Sequence, residues 1–278
     1  MNRIEACLQL SQPDQAALLT SACRAALAAG DIIRQRYEQP HDIHHKGSID
    51  LVTEADVAAE QKIIQLLQEA QPEIGILAEE SSAAAPQEVP LEPTWVIDPL
   101  DGTTNFAHGF PWFGTSIACL QDGASQAGVI YCPLQDELFC ATAGGGAWLN
   151  GKRLQVSTSR ELTTSLLATG FPYDVRQVPE PVMAALQAVL TRAQGVRRAG
   201  AAALDLAYVA CGRLDGFWEI KLKPWDTAAG LLLVEEAGGK VTDFRSRPYS
   251  PFVPEILATN GQIHADLSRV LQEYSLLS

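Results

Sequence analysis

Positive charge is scarce in this chain: 20 Lys and Arg stand against 33 Asp and Glu, a formal net charge of −13 over 278 residues. That balance argues against a nucleic-acid-binding surface and against docking on an anionic membrane. No stretch approaches the roughly 18 consecutive apolar residues that a membrane span needs. The start, Met1-Asn2-Arg3-Ile4-Glu5, has no basic region followed by an apolar core, so no secretory signal is expected. Neither a CxxC pair nor a His at zinc spacing accompanies the six cysteines (Cys7, Cys23, Cys119, Cys132, Cys140, Cys211). Cys119, Cys132 and Cys140 sit among strand-like residues and read as small buried hydrophobes, with a reduced, cytoplasmic location as the default. Internal repeats and low-complexity linkers are missing. The one glycine run, Gly144-Gly145-Gly146, lacks the strand-to-helix context and the lysine of a nucleotide-binding loop, and reads as a turn. His41, His44 and His45 fall in a polar segment that reads as a solvated loop rather than a metal cluster.

What is present is ample apolar content, 47% of residues, enough to bury a large core in one to two domains. Apolar residues at helical spacing predict a long amphipathic helix over Asp14–Tyr37 and a second over Thr53–Ala70, with Thr53 as its cap. Gly47–Val52 reads as a strand and Ser82–Pro93 as a loop. Three strand-like runs, Thr115–Leu120, Ala127–Cys132 and Leu138–Thr142, are separated by turn signals, which is the logic of an antiparallel meander. From about Val156 strands and helices alternate. The strands fall at Ser165–Thr169, Gly195–Arg198, Gly216–Ile220, Lys240–Asp243 and Glu255–Thr259. Helices are expected near Pro179–Ala193 and at Ala202–Cys211, Thr227–Glu236 and Gly261–Tyr274. The expectation is a layered α/β protein with a helix-plus-antiparallel-sheet half over residues 1–155 and an α/β half over 156–278.

The most informative stretch runs from Trp95 to Phe106. A β-type run, Trp95 to Ile97, ends in Asp98 and Asp101, followed by Gly102, Thr103 and Thr104. Carboxylates at a strand end before a tight glycine turn can converge on one point, where hard divalent cations take oxygen ligands. Pro99 stiffens the link between the two acids, and the Thr103 hydroxyl falls close enough to handle a metal-bound water. A second piece is Pro224 to Gly230, in which Asp226 opens an Ala- and Leu-rich helix and can act as its cap or as a ligand. A third is the apolar run Ile74 to Ala78, which delivers Glu79 and Glu80 at its end. Together the three acidic ends read as a metal-dependent phosphate-ester hydrolase.

These strings resemble the inositol monophosphatase family of magnesium-dependent, lithium-sensitive sugar phosphatases. The resemblance is carried by DPLDGTTNF at Asp98–Phe106, WDTAAG at Trp225–Gly230, AEES at Ala78–Ser81 and the Lys46…Asp50-Leu51-Val52-Thr53…Asp56 segment. It spans roughly Leu18 to Leu271, and it implies a five-layer αβαβα fold and a homodimer. It also implies two magnesium ions, held by Glu79, Asp98, the Leu100 carbonyl, Asp101 and Asp226 with Asp98 bridging, and a third, weaker ion at Glu79 and water. Thr103 paired with Asp56, or Glu79 itself, would activate the attacking water, and the amides of Gly102 and Thr103 would hold phosphate. Lys46 would lie on a loop closing over the metals. Leu100, Asp101, Gly102, Thr103, Gly200, Ala201, Ala202, Glu219 and Asp226 would surround a small phosphorylated polyol, although Ala201 stands where Ser or Thr is common and Lys221 and Lys223 make that segment unusually basic. The expected activity is hydrolysis of inositol 1-phosphate or a related polyol phosphate. The alternatives are a histidinol-phosphate, fructose-1,6-bisphosphate or phosphoadenosine-phosphate hydrolase, or a non-catalytic regulatory member that binds RNA polymerase.

Overall fold

The computed structural model describes residues 3–37, 39, 43–45, 51–82, 88–177 and 179–277, without the side chains of residues 43–45, 51 and 52. In chain order the elements begin with α1 (Glu5–Leu10), α2 (Pro13–Tyr37), β1 (Ile43–His45), β2 (Leu51–Thr53), α3 (Glu54–Ala70), β3 (Gly75–Ala78), β4 (Thr94–Asp101) and α4 (Thr103–Ala107). The meander follows as β5 (Gly114–Gln121), β6 (Ala124–Cys132), β7 (Glu137–Thr142), β8 (Gly146–Leu149) and β9 (Lys152–Arg153). Then come β10 (Leu166–Thr169), α5 (Pro179–Leu190), β11 (Gly195–Arg197), α6 (Ala202–Ala210), β12 (Gly216–Ile220), α7 (Pro224–Glu236), β13 (Lys240–Thr242), β14 (Glu255–Thr259) and α8 (His264–Leu271).

Two sheets result. The first runs β3-β4-β5-β6-β7-β8-β9, antiparallel except for the β3–β4 pair, and the second runs β11-β10-β12-β14-β13, with β10 parallel to both β11 and β12. Side-chain alternation assigns the faces. Trp95, Ile97, Ile117, Cys119, Val129 and Cys140 face one core with α2 and α3, whereas Val96, Ala118, Leu120, Ile130, Phe139 and Ala141 face another with α6 and α7. In the second sheet Ala168, Phe217 and Ala258 join the α6–α7 core, while Leu167, Trp218 and Leu257 pack with α5 and α8. The layers are therefore α2/α3, sheet, α6/α7, sheet, α5/α8, as the family resemblance implied. Gly230 makes the middle layer thin, because a Cβ there would lie 2.6 Å from the Leu206 Cβ. α2 is long and apolar enough by length and composition to cross a membrane, yet its Leu19, Ala22, Ala26, Ala29 and Ile33 are buried in the first core.

Several local expectations are corrected. The segment read as a solvated histidine loop contains strand β1, which pairs with β2 (Ile43↔Thr53, His45↔Leu51); His41 lies outside the described residues. β4 does not stop at Ile97 but continues through both aspartates, with a register shift between Asp98 and Asp101. α7 begins at Pro224, so Asp226 is its third residue and not its cap. The glycine run is a turn, as its composition suggested, with a definite partner: the Gly144 and Gly146 amides donate to the Glu236 carboxylate at 2.6 and 2.8 Å. That tie fastens the end of α7 to the β7–β8 hairpin.

Candidate active site

The site is built where the first sheet ends against the N-termini of three helices. In β4 the regular pairing Asp98↔Ser116 gives way to Asp101↔Gly114, one extra residue being absorbed around Pro99, which has no amide to pair. The Asp98 carboxylate accepts the Leu100 N–H at 3.0 Å, which fixes its rotamer. Gly102 follows with φ +94°, and a Cβ there would lie 2.9 Å from the Trp112 carbonyl, so only glycine makes this turn. Glu79 is placed by its own N–H on the Ile97 carbonyl at 3.1 Å, and the next amide, of Glu80, donates to Glu60 of α3 at 2.7 Å.

Asp56 and Asp226 occupy equivalent positions at the starts of α3 and α7. Each is the third residue of its helix and accepts the amide before the helix, Thr53 N–H at 2.9 Å and Lys223 N–H at 2.6 Å. The other oxygen of Asp56 accepts the Thr103 hydroxyl at 2.8 Å, and that hydroxyl also lies 3.0 Å from the Leu100 carbonyl. Asp101 reaches across the molecule to α6, accepting the Ala203 N–H at 2.7 Å, with the amides of Ala202 and Leu204 also turned to it. Ala202 therefore helps position an acid through its backbone, and both Ala201 and Ala202 line the cleft.

Electrostatics mark these acids as one cluster. Asp98 and Asp101 are buried. Burial, then the negative charges of Glu79, Asp101 and Asp226, hold the Asp98 carboxyl well above the ordinary range, and Asp98 also hydrogen-bonds with Glu79. Burial and Asp226 push Asp101 up to about 8, against the pull of the α6 amides. Asp56 is raised by burial, which the hydrogen bonds from Thr53 and Thr103 oppose. Among the described residues no three acids are already gathered around a common point as a metal cage. The donor chemistry nevertheless fits a hard divalent cation: oxygens only, two carboxylates buried amid like charge, and a hydrogen-bonded carboxylate pair that a cation would satisfy as well as a proton does.

Above the acids lies a cleft of about 360 Å³ lined by Glu79, Asp101, Gly102, Thr103, Gly200, Ala201, Ala202, Glu219 and Asp226, among others. Asp98, Leu100 and Asp56 are buried beneath it. Lys46 falls outside the described residues. Glu219 is buried at the end of β12, where Gly170 leaves no Cβ in the way of its carboxylate; burial, then Asp226 and Asp205, drives its carboxyl well up.

Three contributors were not singled out from sequence. Asn105 donates through Nδ2 to the carbonyls of Trp112 at 2.7 Å and Ala199 at 2.9 Å, tying α4 to the Gly200 segment. Asp205 is a buried acid in the otherwise apolar helix α6, raised well above its usual range by burial and by Asp101. That lone charge in an apolar helix was a legible signal. Arg198 lines the cleft and lowers both Asp205 and Glu219 through its charge.

The inositol monophosphatase family model matches residues 14–276. The chain belongs to the inositol monophosphatase family. It is 46% identical over 248 residues to the protein named Nus factor SuhB of Salmonella typhimurium strain 14028s, covering 88% of this chain and 92% of that one. It is 45% identical over 262 residues to the inositol-1-monophosphatase of Synechocystis, covering 94% and 91%. The crystal structure of the extragenic suppressor protein suhB from Bartonella henselae superposes with a TM-score of 0.85 at 41% identity, covering 92% of this chain and 99% of that one. Family membership and the layered fold thus rest on most of the chain, and within that fold the acids above occupy one site.

Proposed function

We propose that this protein is a magnesium-dependent phosphomonoesterase acting on inositol 1-phosphate or a related small polyol phosphate. The observation that carries the reading is the convergence of Glu79, Asp98, Asp101 and Asp226 in one electrostatic cluster beside the Asp56–Thr103 pair. Magnesium ions held by Glu79, Asp98, the Leu100 carbonyl, Asp101 and Asp226 would neutralise the ester's charge and make the attacking water more acidic. Thr103, held by Asp56, orients that water through its hydroxyl, and Asp56 holds the hydroxyl's proton. The Gly102 and Thr103 amides take the phosphate oxygens, and the Gly200–Ala202 backbone and Glu219 take the leaving alcohol. Attack is direct, so no phosphorylated side chain forms. Release of phosphate from inositol 1-phosphate by the purified chain with magnesium tests this; no turnover of any small phosphate ester would refute it.

A regulatory role beside catalysis is favoured by the 46% identity to a relative named Nus factor SuhB. Co-purification of partners with Asp101→Asn tests that role apart from turnover, and loss of every partner seen with the wild type would reject an activity-independent function.

A further inference from the structure

Three thiols lie in a row inside the first core, away from the cleft. Cys7 of α1, Cys23 of α2 and Cys140 of β7 are buried there, all unbridged. The Cys140 thiol shares a hydrogen bond with each of the other two. They meet because α1 and α2 both pack on β7, and Cys140 alternates onto the sheet face that α2 covers. Beyond Cys7 the row continues into hydroxyls: its Sγ lies 4.0 Å from the Ser11 Oγ, which is 2.7 Å from the Thr142 Oγ1. Among the described residues no such group of side chains encloses a metal position, so this row is left with the chemistry of sulfur on sulfur.

The three differ in access. Cys23 lines a cavity of about 450 Å³, together with Arg3, Arg24, Arg34 and Tyr131, whereas Cys7 and Cys140 are not among its lining residues. The hydrogen bond with Cys140, then burial, raises the Cys7 thiol above its ordinary range. For Cys140 the hydrogen bond with Cys23, then burial, does the same, against an opposing bond from Cys7. Both thiols therefore stay protonated and make poor nucleophiles toward an incoming oxidant. Cys23 is where a small oxidant arrives, and Cys140 already lies against it.

We propose that Cys23 and Cys140 are a peroxide-responsive dithiol, Cys23 being oxidised from the cavity and Cys140 closing a disulfide with it. In the first step the Cys23 sulfur attacks hydrogen peroxide: an S–O bond forms, the O–O bond breaks, and water leaves with the thiol's proton. In the second the Cys140 sulfur attacks that sulfenic sulfur: an S–S bond forms, the S–O bond breaks, and the hydroxyl leaves with the Cys140 proton as water. The two sulfurs lose two electrons in all, and the peroxide gains them. A resolving thiol already in contact needs no second molecule to enter the core. The bond fastens α2 to the sheet, so the first half of the fold gains stability under oxidant.

The folded full chain is treated with excess hydrogen peroxide, its remaining thiols are alkylated in denaturant, and it is cut before aspartate without reductant. Cuts at Asp14, Asp31, Asp136 and Asp174 put Cys7, Cys23 and Cys140 on separate peptides, the last two spanning residues 14–30 and 136–173. Mass spectrometry should find those two peptides joined, short of two hydrogens, and dithiothreitol should part them. The link should be lost in Cys23→Ala and in Cys140→Ala and kept in Cys7→Ala. The linked wild type should melt about 5–10 °C above the reduced form, since the bond constrains the unfolded chain. No link, a link made by Cys7, or a link that survives Cys140→Ala overturns the dithiol; a linked form that melts no higher overturns its stabilising role. Should an alanine variant fail to fold, the wild-type peptide map decides alone.

Discussion

The Thr103 hydroxyl donates to Asp56 at 2.8 Å, joining the first turn of α4 to the first turn of α3. Asp56 is in turn fixed by the Thr53 amide at 2.9 Å, so the hydroxyl is held by a carboxylate that cannot swing away. If this pair orients the nucleophile, Thr103→Val should lower kcat by about 10²–10⁴-fold with little change in KM, the range of a positioned proton-transfer group. Thr103→Ser should recover most of the rate. Asp56→Asn combined with Thr103→Val should cost little more than either alone, since the two act as a unit. Independent, additive losses in the double variant would sink the pairing.

Metal removal is the second test. Chelation should abolish phosphate release and magnesium should restore it; full activity in a stripped sample would rule the mechanism out. Asp101→Asn should cost several orders of magnitude in rate, because it removes charge from the cluster to which the proposed mechanism assigns the cations. The fold should survive, since an asparagine oxygen can still accept the Ala203 amide that Asp101 accepts at 2.7 Å. Circular dichroism and Tm on the same preparation check that second half.

The layers were legible because buried strands alternate their faces: Val96 and Ala118 point to one core and Trp95 and Ile117 to the other, a period of two that sequence displays directly. The acids were legible because each ends an element or opens one. What sequence hid depends on distant backbone. Nothing near Asp101 announces that it reaches the amide of Ala203, 102 positions away. The start of α7 was misplaced because Asp226 is a favoured cap type, whereas Pro224 suits the first helical turn and Asp226 bonds backward to Lys223. Strand β1 was missed because three residues, Ile43 to His45, are too few to show alternation.

His264 gives a pH dependence outside the site. Its ring is buried between two hydroxyls, Thr242 and Thr259, each 2.9 Å from a ring nitrogen. Burial, helped by Lys240, lowers its pKa to about 4 from 6.5. Between those values only the unfolded chain takes up the proton, so stability is full above about 6.5 and falls as pH drops toward about 4. The slope is at most about 1.4 kcal/mol per pH unit. Urea midpoints at pH 7 and pH 5 should therefore separate more in the wild type than in His264→Gln. Equal separations would show that the ring is not what loses stability.

Lithium provides a test tied to family rather than to geometry. By the family resemblance it should inhibit uncompetitively with respect to substrate, occupying a metal position before phosphate leaves. No effect up to tens of millimolar, about the upper end of ordinary assay concentrations, would weaken the inositol-phosphate assignment more than the phosphatase one.

Glu219 decides how the leaving alcohol is read. Its carboxylate is buried, lines the cleft and lies against Gly170, where an added Cβ would collide with it. A carboxylate in that place can accept hydrogen bonds from two neighbouring hydroxyls of a ring polyol, whereas glycerol 2-phosphate has no ring to present them. Glu219→Gln should therefore weaken inositol 1-phosphate use, relative to glycerol 2-phosphate, by about 1–3 kcal/mol, the scale of leaving a polar partner poorly satisfied. Gly170→Ala offers an independent route to the same result, because it displaces the carboxylate without changing its chemistry. The two variants should shift the ratio of kcat/KM values in the same direction. If both substrates lose equally in both variants, Glu219 is a packing and charge-balancing group for Arg198, and discrimination among alcohols must come from elsewhere in the cleft.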